Sequence, residues 1–376
     1  MSISFQPLFP GMLLDAASRF AQDHAASKDL AGGDPIQQMG WACTLVPEAF
    51  GGVGGTMADL AAVVEGLAAQ GLQLPVIESC AVVPLALQAA RDAGARWLEA
   101  VCEASARLAP LTSLAAPLDQ IAVQATQLDI GWELSGEVQG VDASLAATHY
   151  LVPALLPGSG EIALFVLEAA RVGAPSARYR TMEGRQAADF SLVRLAVPAG
   201  ACIARGPEAE AALLHAGDAA LLLTAVDSVA ALATLVEQTV VHLKERRQFG
   251  VALSSFQVLR HRTADMYVRY LGARGLLMQA LQEYESGAAG LRRTLGLMKV
   301  SLAETARACA EAAIQMHGGM GVSEEVLATR MAQRLLASEF RYGDRLTHAS
   351  RLLAAAPDPA GTQDAPSTTH VSRSSR

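Results

Sequence analysis

Apolar positions recur at three- and four-residue spacing from Leu13 to Ala26 and from Met57 to Gln70, the period of a helix with one buried face. Between them lies Pro47-Glu48-Ala49-Phe50-Gly51-Gly52-Val53-Gly54-Gly55, too rich in glycine to continue a helix. It predicts a tight loop, with Thr56 or a neighbour placed to cap the helix that follows. Near Leu108 the pattern changes to short alternating or β-branched runs separated by Gly, Pro and Ser. These predict strands at Ile121–Val123, Trp132–Gly136, His149–Pro153, Ile162–Leu167 and Phe190–Val197. After Gly206 the helical period returns. Ala211–Glu245, Ser255–Gly287, Leu291–His317 and Glu324 to about Ala356 read as four long helices with short joints. Residues 357–376 are polar, Pro-rich and aperiodic, which predicts a disordered tail.

The fold expected from this order is mainly α with a central β-domain. An N-terminal helical domain spans 1–107, a small β-barrel or sandwich spans 108–205, and a C-terminal four-helix bundle spans 206–356. Composition agrees. Of the 376 residues 51% are hydrophobic and 18% charged, with a mean hydropathy of +0.27, enough apolar material for large cores. Runs such as Ala219–Val226 stop short of the ~20 apolar residues that cross a bilayer, so no membrane span is expected.

Net charge is −8 and the pI is near 5.5, which removes the electrostatic case for a nucleic-acid partner. The five cysteines form no CxxC pair, so a metal site is not expected and a reducing compartment fits. The N-terminus lacks the basic region and cleavage site of a secretory signal, and a cytoplasmic location is expected.

Two stretches carry candidate chemistry. In the first, Glu245-Arg246-Arg247-Gln248-Phe249-Gly250 ends one helix, and Phe256-Gln257 opens the next after Ser254 or Ser255, either able to cap. Arginine at a helix end presents a fork of donors suited to a pyrophosphate, and equally complements the helix dipole. In the second, Gln315-Met316-His317-Gly318-Gly319-Met320-Gly321 runs a helix into glycines. These either stop the helix or let a ligand approach the backbone. With the helix before the glycines, this is not a dinucleotide fingerprint of the strand–glycine–helix kind.

Helices, β-domain and bundle in this order, with RRQFG, FQ and QMHGGMG in the bundle, closely resemble the acyl-CoA dehydrogenase family of flavoproteins. The resemblance extends to Leu45-Val46-Pro47-Glu48-Ala49-Phe50-Gly51-Gly52 and to Trp132-Glu133-Leu134-Ser135-Gly136. It implies an oligomer that binds FAD between the β-domain and the bundle. Arg246 and Gln257 would bind the ADP portion, lined by Gln248, Phe249 and Phe256. Gln315 and Gly319, with Gly318 beside them, would reach the FAD of a neighbouring subunit. It further implies an acyl-CoA substrate and an electron-transfer flavoprotein as acceptor.

The catalytic half departs from the family. Members take the α-proton with a carboxylate, most often the Glu of a YEG-type motif, and here Gly343 stands in its place within Phe340-Arg341-Tyr342-Gly343-Asp344. A minority place the base early in the first bundle helix, which is Ala220 here, and the CoA-binding arginine after it is Leu221. Three substitutes stay open: Asp344, Asp227 and a carboxylate on a partner chain. Asp227 lies seven residues past Ala220, ~10 Å along the helix. The flavin-touching TEP element is not recognisable in Leu108–Leu114. These gaps resemble a subgroup with FGD in place of YEG, whose members are associated with pimeloyl-type acyl-CoAs or CoA thioesters of steroid side chains. Some of its members are paired subunits sharing one FAD. The chain is thus expected to be an FAD-dependent acyl-CoA dehydrogenase, homo-oligomeric or in a heterotetramer with a paralogous subunit. The alternative is a non-catalytic FAD-binding subunit of such a complex.

Overall fold

The computed structural model describes residues 5–24 and 34–355. The expected tail at 357–376 and the last two residues of the first expected helix lie outside the described residues. The N-terminal helices are α1 (Met12–His24), α2 (Pro35–Gln38), α3 (Met57–Ala69), α4 (Val83–Ala89) and α5 (Arg91–Cys102), with a π-turn over Glu78–Val82 leading into α4. Thr56 caps α3 in a reciprocal box. Its hydroxyl accepts from the Asp59 amide, and the Asp59 carboxylate accepts from the Thr56 amide at 2.7 Å. The glycine loop before it is not wholly irregular, because Glu48–Phe50 makes one 3-10 turn. A Cβ at Gly52 would sit 2.0 Å from the Val46 carbonyl oxygen, so only glycine lets the loop fold back there.

Eight strands follow: β1 (Leu108–Pro110), β2 (Val123–Gln127), β3 (Trp132–Asp142), β4 (His149–Leu155), β5 (Ile162–Glu168), β6 (Ala177–Arg180), β7 (Gln186–Val197) and β8 (Cys202–Arg205). A short turn, α6 (Ala169–Val172), separates β5 from β6. They form one sheet in the order β6-β7-β3-β2-β4-β5-β8, with β1 parallel to β4. Alternate residues of the central strands, among them Val123, Trp132, Leu134, Val152, Phe165 and Phe190, form a core separate from that of the helices. β1, β6 and β8 have no counterpart in the expected strands. They are three or four residues long, too short for alternation to register.

The bundle is built on α7 (Pro207–Glu245), whose buried residues lie on every side of the helix. α3, α4, α8, α9 and α10 all pack on it. By length and composition α7 would cross a membrane, contrary to the reading of its separate apolar runs. However, 83% of its most apolar stretch is buried inside the fold, as a central core helix requires. A two-residue ribbon, β9 (Arg247–Gln248) with β10 (Val251–Ala252), turns the chain into α8 (Gln257–Glu285), followed by α9 (Leu291–His317). Ser254 and Ser255 do not cap α8. Phe256 holds the cap position, and the Ser255 hydroxyl donates to the Ala252 carbonyl.

The expected fourth helix is two, α10 (Leu327–Ser338) and α11 (Arg345–Ala354). Tyr342 at φ 55° and Gly343 at φ 95° break the helical path between them. Overall the protein is mostly helical around a central sheet.

Candidate nucleotide end and candidate catalytic junction

At the far end of α7, Arg246 is the C-cap residue and Arg247 and Gln248 form β9. All three are exposed. Among the described residues none of their side chains has an ion-pair or hydrogen-bond partner within the chain, nor have those of Gln257 and Gln315. Phe249 is 90% exposed at φ 55°, a backbone conformation that costs a non-glycine residue ~1–2 kcal/mol, and it meets Phe256 edge-on at 6.2 Å. Gly318, at φ 60°, and Gly319 have open space where a Cβ would stand. The segments lie together. His242, one turn before Arg246, stacks on His317, the residue before Gly318, with ring centroids 4.2 Å apart. The first turns of α8 join them where the Thr263 hydroxyl meets the Met316 sulfur at 4.0 Å. One end of one chain therefore brings together the arginine and glycine elements that the resemblance gives to the FADs of different subunits, and presents unpaired guanidinium and amide donors, two open glycines and the exposed ring of Phe249 beside the half-buried Phe256. This donor set fits an ADP moiety.

The junction where the N-terminal helices, the sheet and the bundle meet is closed. Asp227 is fully buried and gripped by Arg334 through both carboxylate oxygens, and Arg334 also donates to the Leu72 carbonyl at 3.0 Å. Burial works to raise the Asp227 pKa. Arg334, with Arg341 and Arg185 beyond it, more than offsets this and holds the carboxyl below the usual range. Asp344 caps α11, accepting from the Thr347 amide at 2.8 Å and hydroxyl at 2.7 Å, and these bonds lower its pKa. Both candidate carboxylates are thus engaged within the chain.

Sequence reading did not find Glu78. It is buried on the π-turn and accepts from Arg341 at 2.6 Å and from the Tyr342 hydroxyl at 2.8 Å. Arg185 stands 3.9 Å from its other oxygen and 2.8 Å from Asp142. An acid in the apolar run Val76-Ile77-Glu78-Ser79-Cys80-Ala81-Val82 was the signal available.

The segment around Gly343 is clamped from several sides. Lys299, buried in α9, donates to the carbonyls of Ser338 and Arg341 at 2.8 and 2.6 Å. His348 meets the Tyr342 carbonyl at 3.0 Å. The amides of Tyr342 and Gly343 donate to the carbonyls of Leu114 and Ala115 at 2.8 and 3.0 Å. A Cβ at Gly343 would lie 3.0 Å from both Pro117 and His348.

On the other side of Tyr342 a cavity of about 900 Å³ opens between α7, α9, α11 and the loop at 117–119. Leu221 and Tyr342, next to Ala220 and Gly343, line it. Asp218 lines it too, paired with Arg292 at 3.2 Å, its pKa raised by burial. Sequence reading did not find Asp218, two positions before Ala220, because nothing in the helical period singles it out. Among the described residues no group of three His, Cys, Asp or Glu side chains is arranged for a metal.

Comparisons with known proteins agree with this architecture. Residues 11–105 match the acyl-CoA dehydrogenase N-terminal domain, and residues 219–354 match the acyl-CoA dehydrogenase C-terminal domain. Acyl-CoA dehydrogenase IpdE2 of Mycolicibacterium smegmatis is 27% identical over 307 residues, covering 80% of this chain and 81% of that one. Among solved structures, the Tcur3481–Tcur3483 steroid ACAD variant superposes with a TM-score of 0.77 at 25% identity, covering 91% of this chain and 96% of the other. The ChsE4–ChsE5 complex from Mycobacterium tuberculosis shares the fold, with a TM-score of 0.78 at 21% identity over 94% and 100% of the two chains. With both terminal domains matched and the intervening sheet in place, the chain belongs to the acyl-CoA dehydrogenase family of oxidoreductases that act on acyl-CoA thioesters.

Proposed function

We propose that this chain is one subunit of an FAD-dependent acyl-CoA dehydrogenase, and that it gives its nucleotide end to a cofactor whose flavin ring is housed by a paralogous partner. The carrying observation is the direct bonding of Tyr342 and Gly343 to Leu114 and Ala115. In the family resemblance these two segments flank the flavin ring and the acyl α-carbon, and here nothing lies between them. The chain's own residues therefore fit the ADP part of FAD and not its ring. Arg246 and Arg247 would hold the diphosphate, Gln257 and Gln315 would donate to ribose or phosphate oxygens, and Gly318 and Gly319 would admit the backbone close to the ligand. When bound, FAD supplies the acceptor for the substrate's hydride. The acyl-CoA and the carboxylate that takes its α-proton would then belong to the partner, with electrons passed on to an electron-transfer flavoprotein. The heteromeric names of the ACAD neighbours, Tcur3481–Tcur3483 and ChsE4–ChsE5, support such a pairing.

The test is flavin stoichiometry. The chain is purified alone and after co-expression with a paralogous acyl-CoA dehydrogenase subunit, and FAD is counted by absorbance. About one FAD per pair, lost on Arg246→Ala, is expected. One FAD per chain in a homo-oligomer, bleaching when an acyl-CoA is added without oxygen, would overturn the proposal.

The large cavity favours a second reading, a self-sufficient enzyme whose loop at 111–118 opens. It borders both base positions, and Arg292, Arg293 and Arg351 on its lining suit the phosphates of CoA. Under that reading Asp218→Asn abolishes bleaching by the chain alone while FAD stays bound.

A further inference from the structure

His242 and His317 belong to neither the arginine element nor the glycine turn, yet they join the two. The Thr239 hydroxyl donates to the Leu235 carbonyl at 2.7 Å, so its oxygen is left to accept from His317 Nε2 at 3.3 Å. That assigns the ring proton to Nε2 and the lone pair to Nδ1, which is buried without a partner among the described residues. His317 is 7% exposed and lies nearly parallel to His242, with 20° between the rings. Burial, followed by the neighbouring histidine, lowers the His317 pKa to about 4, so at neutral pH two uncharged rings are stacked without repulsion.

Among the described residues, this stack and the Thr239 bond are the ring and polar side-chain contacts between the last turns of α7 and α9. Arg246 follows His242 by one helical turn. Gly318 follows His317 directly, and Gly321 packs so tightly on α9 that a Cβ there would meet the Ile314 carbonyl at 2.5 Å. The glycine turn is thus pinned on its far side by Gly321 and on its near side by the stacked ring.

We infer that the His242–His317 stack is a positioning element for the nucleotide, setting the distance from the arginine end of α7 to the glycine turn after α9 so that one diphosphate meets both. This rests on the reading that this end binds the ADP portion of FAD. What matters in it is ring shape, since the imidazoles carry no charge and the one free lone pair is enclosed. A ring that cannot titrate should serve equally well.

The test is calorimetric titration of the full chain, or of its co-expressed complex, with ADP and with FAD. His317→Ala is expected to weaken ADP binding about tenfold, the scale of a lost aromatic pair, and His317→Phe to restore it. Unchanged affinity in the alanine variant overturns the inference. So does a phenylalanine variant as weak as alanine, because polar chemistry would then be the determinant. If His317→Ala does not fold, His242→Ala and His242→Phe make the same comparison from the less buried ring. Arg246→Ala separates the two levels of argument. Loss of binding there with none in His317→Ala sinks only the stack, whereas a wild-type protein that binds neither ADP nor FAD removes the underlying reading and the inference with it.

Discussion

At the buried junction the amides of Tyr342 and Gly343 and the carbonyls of Arg341 and Tyr342 all have protein partners, and the charged side chains around them are paired, Glu78 with Arg341, Asp142 with Arg185 and Asp227 with Arg334. At the candidate nucleotide end Arg246, Arg247, Gln248 and Phe249 face outward. The two regions share α7, and Asp227 and Glu245 lie ~27 Å apart along it. Surface donors without partners and an exposed aromatic in a costly conformation mark a site that something outside the chain completes. Charges balanced inside the fold mark one that is already complete. The contrast separates a region whose polar groups the chain itself satisfies from one whose donors are left for a ligand or partner.

The strongest way to break this comparison is at Arg334. Its removal leaves the Asp227 carboxylate buried without a partner, which costs about 3–5 kcal/mol. Arg334→Met is therefore expected to lower the urea-unfolding free energy by that amount, while Arg246→Ala changes it by less than about 0.5 kcal/mol. A loss below about 1 kcal/mol at Arg334 would show that the junction is not held by its ion pairs. Asp227→Leu combined with Arg334→Met should recover most of the loss, because a buried pair replaced by apolar groups leaves no unpaired charge.

Acid sharpens the same contrast. Asp227 and Glu78 titrate below their usual values in the fold, so the stability they add is full above the unfolded carboxylate range and lost as pH falls through their lowered folded values. His317 is the opposite ionic type. Its pKa is lowered to about 4 from the ordinary histidine value near 6.5, so the unfolded chain binds more protons between those values and stability drops as pH falls from 6.5 towards 4. His242 shifts down with it, through burial and Arg246, with Glu245 opposing. The nucleotide end should loosen first. Hydrogen-exchange protection, corrected for intrinsic rates, is expected to fall at the end of α9 by pH 5 while the amides of Tyr342 and Gly343 remain protected. Simultaneous loss at both sites would remove the distinction.

Much of this was legible in sequence, for reasons that differ by residue. The helical period of α7, α8 and α9 and the glycines after His317 are local signals, and they placed the bundle's helices and the glycine turn that ends α9. The absence of an acid at Gly343 was equally plain. Legibility stopped where contacts are long-range. Glu78 meets Arg341 across 263 positions of sequence, and Asp227 meets Arg334 across 107, distances over which periodicity carries no information. The break between α10 and α11 was also hidden, because Arg341-Tyr342 reads as helix until tertiary bonds to Leu114 and Ala115 pull its backbone out. So the absence of an acid at Gly343 could be read, and the bonds that hold its backbone could not.

The smallest expected effect has an unusual sign. Phe249 sits at φ 55° with 90% of its surface exposed, so the isolated chain gains little from its ring and bears the cost of its backbone. Glycine adopts that conformation without the Cβ penalty but loses more entropy on folding, leaving a net gain of about 0.5 kcal/mol. Phe249→Gly should therefore make the lone chain slightly more stable while weakening ADP binding and partner association. Thermal unfolding of the chain alone gives the first number and calorimetry the second. If the substitution instead destabilises the lone chain, Phe249 is packing against Phe256 for the fold's own sake, and its exposure says nothing of a ligand. If stability rises and nucleotide binding is untouched, the ring serves the partner chain alone, and the nucleotide end is narrower than the arginines and glycines suggest.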